Sequence, residues 1–247
     1  MTQTLVPTLH HLVSSQSLRV LWALEELAET HGLVYKLETH ARGANGGAEP
    51  GLQGLFPLGK SPILTVDEGG VRSQTVFQLP AYPGVLTESR LILQFLSDTY
   101  AEGAWVPHDE VDRRQDIFFQ EFAQSTLALK VDFALIFDVI PPRLPTGLRQ
   151  LVAAMVKPVM KHWMGDLAPI FQLLEHSLSD ERPWFSGRAL GLADFTMSWG
   201  MDVASQRGYF NAHRYPRVAR WHTAVTQRPA YKRALDKGGS YNLDTFS

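Results

Sequence analysis

Cysteine is missing altogether from the 247 residues. Its absence removes disulfides, cysteine-ligated zinc, iron–sulfur clusters and every cysteine nucleophile. Any thiol chemistry must therefore use a thiol that a ligand brings. Excess charge of either sign is also missing: Lys plus Arg total 23 against 25 for Asp plus Glu, a formal net charge of -2. No basic surplus exists to neutralise a phosphate backbone, so nucleic acid is not an expected partner. No apolar run approaches the roughly 20 residues of a membrane span, and the opening MTQTLVPTLHHL lacks the charged start and long apolar middle of a secretory signal. The expectation is a soluble, cytoplasmic protein. What the chain does have is apolar matter, 45% hydrophobic residues against 19% charged, enough for one large or two small cores.

The first hundred residues alternate in type. Residues 4 to 12 read as a buried strand carrying Pro7 near its start. From Ser17 the apolar residues Leu18, Leu21, Leu24 and Leu27 recur at helical spacing, with Glu25, Glu26 and Glu29 expected on the wet side and Gly32 as the stop. Leu33 to Glu38 suggests a second strand. Residues 41 to 56 are a glycine-rich loop. Pro62 to Val66 and Val71 to Phe77 read as a hairpin turning at Asp67-Glu68-Gly69-Gly70, and Glu88 to Tyr100 returns to helical period. After Pro107 everything looks helical: Asp109 to Asp138 in one long piece, Leu148 to Leu178, Gly191 to Gln206, and Pro216 to Gln227, with a polar tail from Gly238. The composition shift near residue 105 gives two domains, an α/β domain over residues 1–102 and an all-α domain over 108–247.

Residues 54 to 61, GLFPLGKS, match the phosphate-loop pattern letter for letter. That pattern needs a buried strand before it and a helix starting at the Lys. Pro57 removes a donor inside the loop, and Pro62 biases Ser61 away from helix, so nucleotide binding is rejected. The same segment reads better as an entry to a strand. A cis Ser61-Pro62 bond there turns the Ser61 backbone N–H and C=O outward, ready for an extended peptide ligand. Further on, Glu88 and Ser89 open a helix, where hydroxyl, N–H and carboxylate together suit an amino-acid head group. His10 and His11 do not make a metal pair, because neighbours on a strand face opposite sides. Asp194 at the third position of a helix reads as a structural cap.

Three pieces together resemble the cytosolic glutathione transferases: Ser14-x-x-Ser17-x-Arg19-Val20-Leu21-Trp22 with Leu24-Glu25-Glu26-Leu27, Pro57-Leu58-Gly59-Lys60-Ser61-Pro62-Ile63-Leu64, and Thr87-Glu88-Ser89 with Ile92-Leu93. The match is most like the fungal-type branch that also has bacterial members, and a weaker echo lies at Gly191-Leu192-Ala193-Asp194-Phe195. The resemblance implies a thioredoxin-like N-terminal domain that binds glutathione as co-substrate, an all-α C-terminal domain with a pocket for a small hydrophobic electrophile, and a homodimer. It assigns Glu88 and Ser89 to the γ-glutamyl group, the Ser61-Pro62 backbone to the cysteinyl unit, and Lys60, with Arg42 as a weaker candidate, to the glycyl end.

Members of this family activate the thiol with Tyr, Ser or Cys at the end of the first strand. Cysteine is absent and the first tyrosine is Tyr35, which leaves Ser14 first and Ser15 second, with Gln16 as an auxiliary donor. The implied activity is conjugation of the glutathione thiolate to hydrophobic electrophiles, as in detoxification. Glutathione-dependent peroxide or disulfide reduction on the same site, or a non-catalytic binding module of this fold, are the alternatives.

Overall fold

The computed structural model describes residues 5–43 and 50–244. Of the features expected above, Thr4, residues 44–49 of the glycine-rich loop and the last three residues of the tail lie outside the described residues. The chain divides into two units: residues up to Val106 together with Val225–Asn242, and Pro107–Ala224 with Leu243.

In the first unit, β1 (Leu5–Leu12) leads to α1 (Leu18–His31) and β2 (Lys36–His40), a parallel βαβ pair. A short 3-10 turn at Pro50–Gly54 precedes β3 (Ile63–Glu68), β4 (Val71–Arg72), β5 (Val85–Leu86) and α2 (Ser89–Tyr100). The sheet order is β2-β1-β3-β4, and β5 also pairs with β3. β1 is central, yet Pro7 is tolerated because β2 begins to pair only at Thr8, so the missing N–H falls where no neighbour needs it. Gly32 ends α1 with φ 65, the left-handed conformation a glycine adopts without steric cost.

Two expectations are corrected here. The strand expected over Val71 to Phe77 stops at Arg72. The Ser73 hydroxyl accepts the N–H groups of Thr75 and Val76, both at 3.3 Å, and this local turn competes successfully with the ladder. Glu25 and Glu26 are not on the wet side; they are 1% and 4% exposed. The reason is a helix for which the sequence reading has no counterpart, α9 (Pro229–Gly238), which belongs to the first unit rather than the helical one. Its buried side chains Ala230, Tyr231 and Ala234 form one stripe, and Tyr231 meets Trp22 edge-on at 5.6 Å.

The cations beside that stripe explain the buried acids. Lys237 and Arg233 reach Glu25 at 2.6 and 3.0 Å, while Arg228 grips both Glu26 oxygens, its Nη2 at 2.8 Å. Burial alone would raise the Glu25 carboxyl. Hydrogen bonds from Lys237, Tyr35 and Arg233 outweigh it and hold the group below the usual carboxylate range.

The second unit is helical: α3 (Glu110–Phe122), α4 (Leu129–Val139), α5 (Thr146–Gly165), α6 (Leu167–Ser177), α7 (Leu192–Gln206) and most of α8 (Pro216–Thr226). The single helix expected over Asp109 to Asp138 is interrupted by a π-helical stretch at Ala123–Ala128. The wider turn sets Leu127 against Gly200 of α7, so closely that a Cβ there would stand 2.6 Å from the Leu127 Cγ. Asp194 is fully buried and accepts from the Phe185, Ser186 and Gly191 N–H groups and from Trp221 Nε1, which makes it the structural anchor of the α7 start. No helix among the described residues is long and apolar enough to cross a membrane.

Candidate functional site

A cleft of about 270 Å³ in the first unit is lined by Gln16, Phe56, Leu58, Lys60, Ser61, Pro62, Thr87, Glu88 and Ser89. Three pieces far apart in sequence converge on it: the β1–α1 connection, the loop before β3 and the start of α2. The Ser61–Pro62 peptide bond is cis. Segment 54–61 runs into a strand rather than a helix, so the phosphate-loop geometry is absent. The Ser61 hydroxyl donates to the His10 carbonyl at 3.0 Å and accepts the Leu12 N–H at 3.1 Å, which fastens this loop to β1. Among the described residues nothing engages the Ser61 backbone N–H or C=O. A free donor and acceptor on one residue just before an internal strand form the template on which an extended peptide pairs.

Ser89 is 6% exposed and stands first in α2, while Glu88 before it adopts φ 59. Positive φ is uncommon for a residue with a Cβ, and here it marks the rim of the cleft. Behind Ser89 lies Arg19, 2% exposed, whose Nη2 donates to both the Ser89 hydroxyl and the Gln16 side-chain carbonyl. The helix N-terminus and this buried guanidinium give that end of the cleft a positive character. Glu88 and Lys60 add one exposed charge of each sign. Arg19 is quoted in the sequence motif but receives no role there; its signal, a cation two positions into an apolar helix, is legible in retrospect.

The other expected residues stand elsewhere. Ser14 is buried with φ 50, and its hydroxyl donates to the Ser240 carbonyl and accepts the Asn242 N–H, each at 3.1 Å. The C-terminal tail thus folds onto the β1–α1 connection, and Arg42 closes the other side by donating to the Ser14 carbonyl at 2.6 Å. The Ser15 hydroxyl donates to the Leu12 carbonyl at 2.7 Å. Neither serine, nor Arg42, lines the cleft, whereas Gln16 does. Ser17, at the helix start, does not cap it; its hydroxyl sits 2.5 Å from His11 Nδ1.

His11 is 1% exposed, and burial pushes its imidazole down to about 4. The folded state therefore holds it neutral where the unfolded chain would protonate it below about 6.5. Its contribution is complete above that value and drains away as the pH falls toward 4. Between pH 7 and pH 5 the loss is on the order of 2 kcal/mol. Denaturant unfolding at the two pH values should show the wild type losing about this much more than His11→Gln.

A family model described as the glutathione S-transferase N-terminal domain matches residues 13–99, a span that holds every residue lining the cleft. The chain is 27% identical over 242 residues to glutathione S-transferase 3 of Schizosaccharomyces pombe, covering 97% of this chain and 90% of the relative. A crystal structure of a glutathione S-transferase from Actinobacillus pleuropneumoniae is 27% identical, with a TM-score of 0.70 over 98% of this chain and 97% of that one. Ure2p5 from Phanerochaete chrysosporium, cocrystallized with 1-(S-glutathionyl)-2,4-dinitrobenzene, shares the fold at 22% identity, with a TM-score of 0.67 over 94% of each chain. Sheet order, cis-proline loop and helix start lie within or beside the segment that matches the family model, and along nearly its whole length the chain is similar to proteins named glutathione S-transferase.

Proposed function

We propose that the protein is a glutathione transferase that holds glutathione in this cleft and adds its thiolate to hydrophobic electrophiles. The observation that carries the reading is the unengaged Ser61 backbone pair, set between a helix N-terminus backed by Arg19 on one side and Lys60 on the other. The γ-glutamyl carboxylate meets the Ser89 N–H and hydroxyl, its ammonium meets Glu88, the cysteinyl backbone pairs with Ser61, and the glycyl carboxylate reaches Lys60. Relatives named glutathione S-transferase, and a neighbour that holds a glutathione conjugate, support this occupant.

The thiol lies in reach of the 14–16 connection. Ser14 and Ser15 direct their hydroxyls to backbone groups, so they shape that connection, and the Gln16 carboxamide is the donor that faces the cleft. With its oxygen taken by Arg19, the Gln16 amide turns its NH2 toward the sulfur. A free thiol with a pKa of about 8.5 is only a few per cent ionised at neutral pH. One hydrogen bond to the thiolate, worth about 1.5 kcal/mol, lowers that pKa by about one unit. The thiol proton leaves to water, the sulfur pair forms the new S–C bond, and the leaving group departs with the pair of the bond it breaks.

Gln16→Ala should raise the thiol pKa by about one unit and slow conjugation at neutral pH about tenfold. Ser14→Ala and Ser15→Ala should leave the thiol pKa within a few tenths of a unit. A pKa that rises in either serine variant and not in Gln16→Ala returns the donor role to the serine. The electrophile is assigned to the helical unit, where Phe118 and Phe133 are 50% and 41% exposed while Phe119 is core. Binding of glutathione without turnover across an electrophile panel would contradict the transferase reading. A cytoplasmic homodimer completes the proposal, and sedimentation checks the dimer.

A further inference from the structure

Successive residues of β1 point to opposite faces of the sheet. His11 faces α1 and α9, against Ser17 and the backbone of Gly238. His10 faces the other way. The register sets it directly across from Glu38 on β2, and His40, two residues further on, shares that face. One ring nitrogen from each histidine and one carboxylate oxygen lie within 4.8 Å of one another. This trio is unused by the cleft and unrelated to the adjacent His10-His11 pair that sequence spacing rejects.

Two ring nitrogens of this trio are unsatisfied. His10 is 4% exposed, and its Nδ1, like His40 Nε2, is buried with no hydrogen-bond partner among the described residues. His10 Nδ1 stands 3.0 Å from Glu38 Oε2, an ion-pair distance. The other ring nitrogen of His10 is occupied by the Thr65 hydroxyl at 3.2 Å. That second contact orients the ring as the outer partners of metal-bound histidines do.

We propose that His10, Glu38 and His40 form a binding site for a divalent late first-row cation, with zinc as the best fit. Two imidazoles and one carboxylate are the donor set of three-ligand zinc sites, whose fourth position takes water, whereas calcium and magnesium favour all-oxygen shells. Only small movements are required: the Glu38 side chain is 60% exposed and free to swing, while His10 is fixed. The bound cation ties β2 to β1 near the root of the 13–17 connection, where the Val13 N–H already donates to the His40 carbonyl at 3.2 Å.

The test is calorimetric titration of the full chain, stripped by a chelator, with zinc alone; glutathione is left out because its own thiol binds zinc. One equivalent should bind, and affinity should fall at least tenfold in both Glu38→Gln and His40→Ala, with the exposed His213→Ala unchanged. Zinc should raise the Tm of the wild type and not that of Glu38→Gln, a surface change that leaves the fold intact. Absence of stoichiometric binding at micromolar zinc, or binding of undiminished affinity in both variants, overturns the proposal. Neither outcome bears on glutathione, so this inference and the transferase reading fail separately.

Discussion

Ser89→Ala is expected to weaken glutathione binding ten- to a hundredfold. The hydroxyl is held in place by Arg19 and donates its proton to the γ-glutamyl carboxylate in the proposed complex. A hydrogen bond to a charged group contributes about 1.5 to 3 kcal/mol, and about 1.4 kcal/mol is a factor of ten. The loss should appear in Kd and KM while kcat stays near the wild-type value, because the carboxylate is remote from the sulfur and is bound alike in ground and transition states. Gln16→Ala should do the reverse, lowering kcat and sparing the affinity. Equilibrium binding and steady-state kinetics on the two variants separate positioning of the head group from ionisation of the thiol. Similar profiles for both would mean that the cleft does not divide these tasks.

Asp194→Ala is expected to destabilise the helical unit by about 3 to 5 kcal/mol, enough to leave much of it unfolded at 37 °C. The substitution strands Trp221 Nε1 and the Phe185 and Gly191 N–H groups, donors at 2.8, 2.8 and 3.0 Å from the carboxylate, inside a buried region. Gly191 has no side chain to complete a reciprocal cap, so Asp194 closes the start of α7 together with Asp116, which accepts the Ala193 N–H at 2.9 Å. Burial pushes this carboxyl up to about 6 despite its donors, so it is ionised at neutral pH. Asp194→Asn keeps the volume and one acceptor and should recover part of the loss. Circular dichroism during thermal unfolding measures both. A loss under about 1 kcal/mol for the alanine variant would mean that water or a rearranged loop satisfies the stranded donors.

Local signals carried most of the site. The Ser61-Pro62 loop, the Glu88-Ser89 helix start and Gln16 are short motifs whose chemistry is complete within a few residues, and the structure brings them to one cleft. What escaped the sequence is what depends on distant partners. Glu25 and Glu26 read as solvated because nothing within α1 reveals that Arg228, Arg233 and Lys237 arrive some two hundred residues later. α9 itself is legible, with Pro229 at its first turn and apolar residues at 230, 231 and 234, but its short stripe lies beside a run of charges.

Ser14 shows the same limit from another side. Its spacing before α1 fits a thiol donor, yet its hydroxyl is held by Ser240 and Asn242, a contact that no local pattern announces. The trio of His10, Glu38 and His40 is invisible for a related reason. Its geometry is created by β1–β2 register, and the only histidines adjacent in sequence face apart.

The most direct measurement is a crystal structure of the full chain with glutathione bound. The γ-glutamyl carboxylate should hydrogen-bond the Ser89 N–H and hydroxyl, the cysteinyl N–H and C=O should pair with the Ser61 backbone, and the sulfur should have the Gln16 amide as its nearest polar neighbour. Glutathione density away from the Ser61 backbone, or in the cleft but reversed so that its glycyl end meets Ser89, would contradict the account.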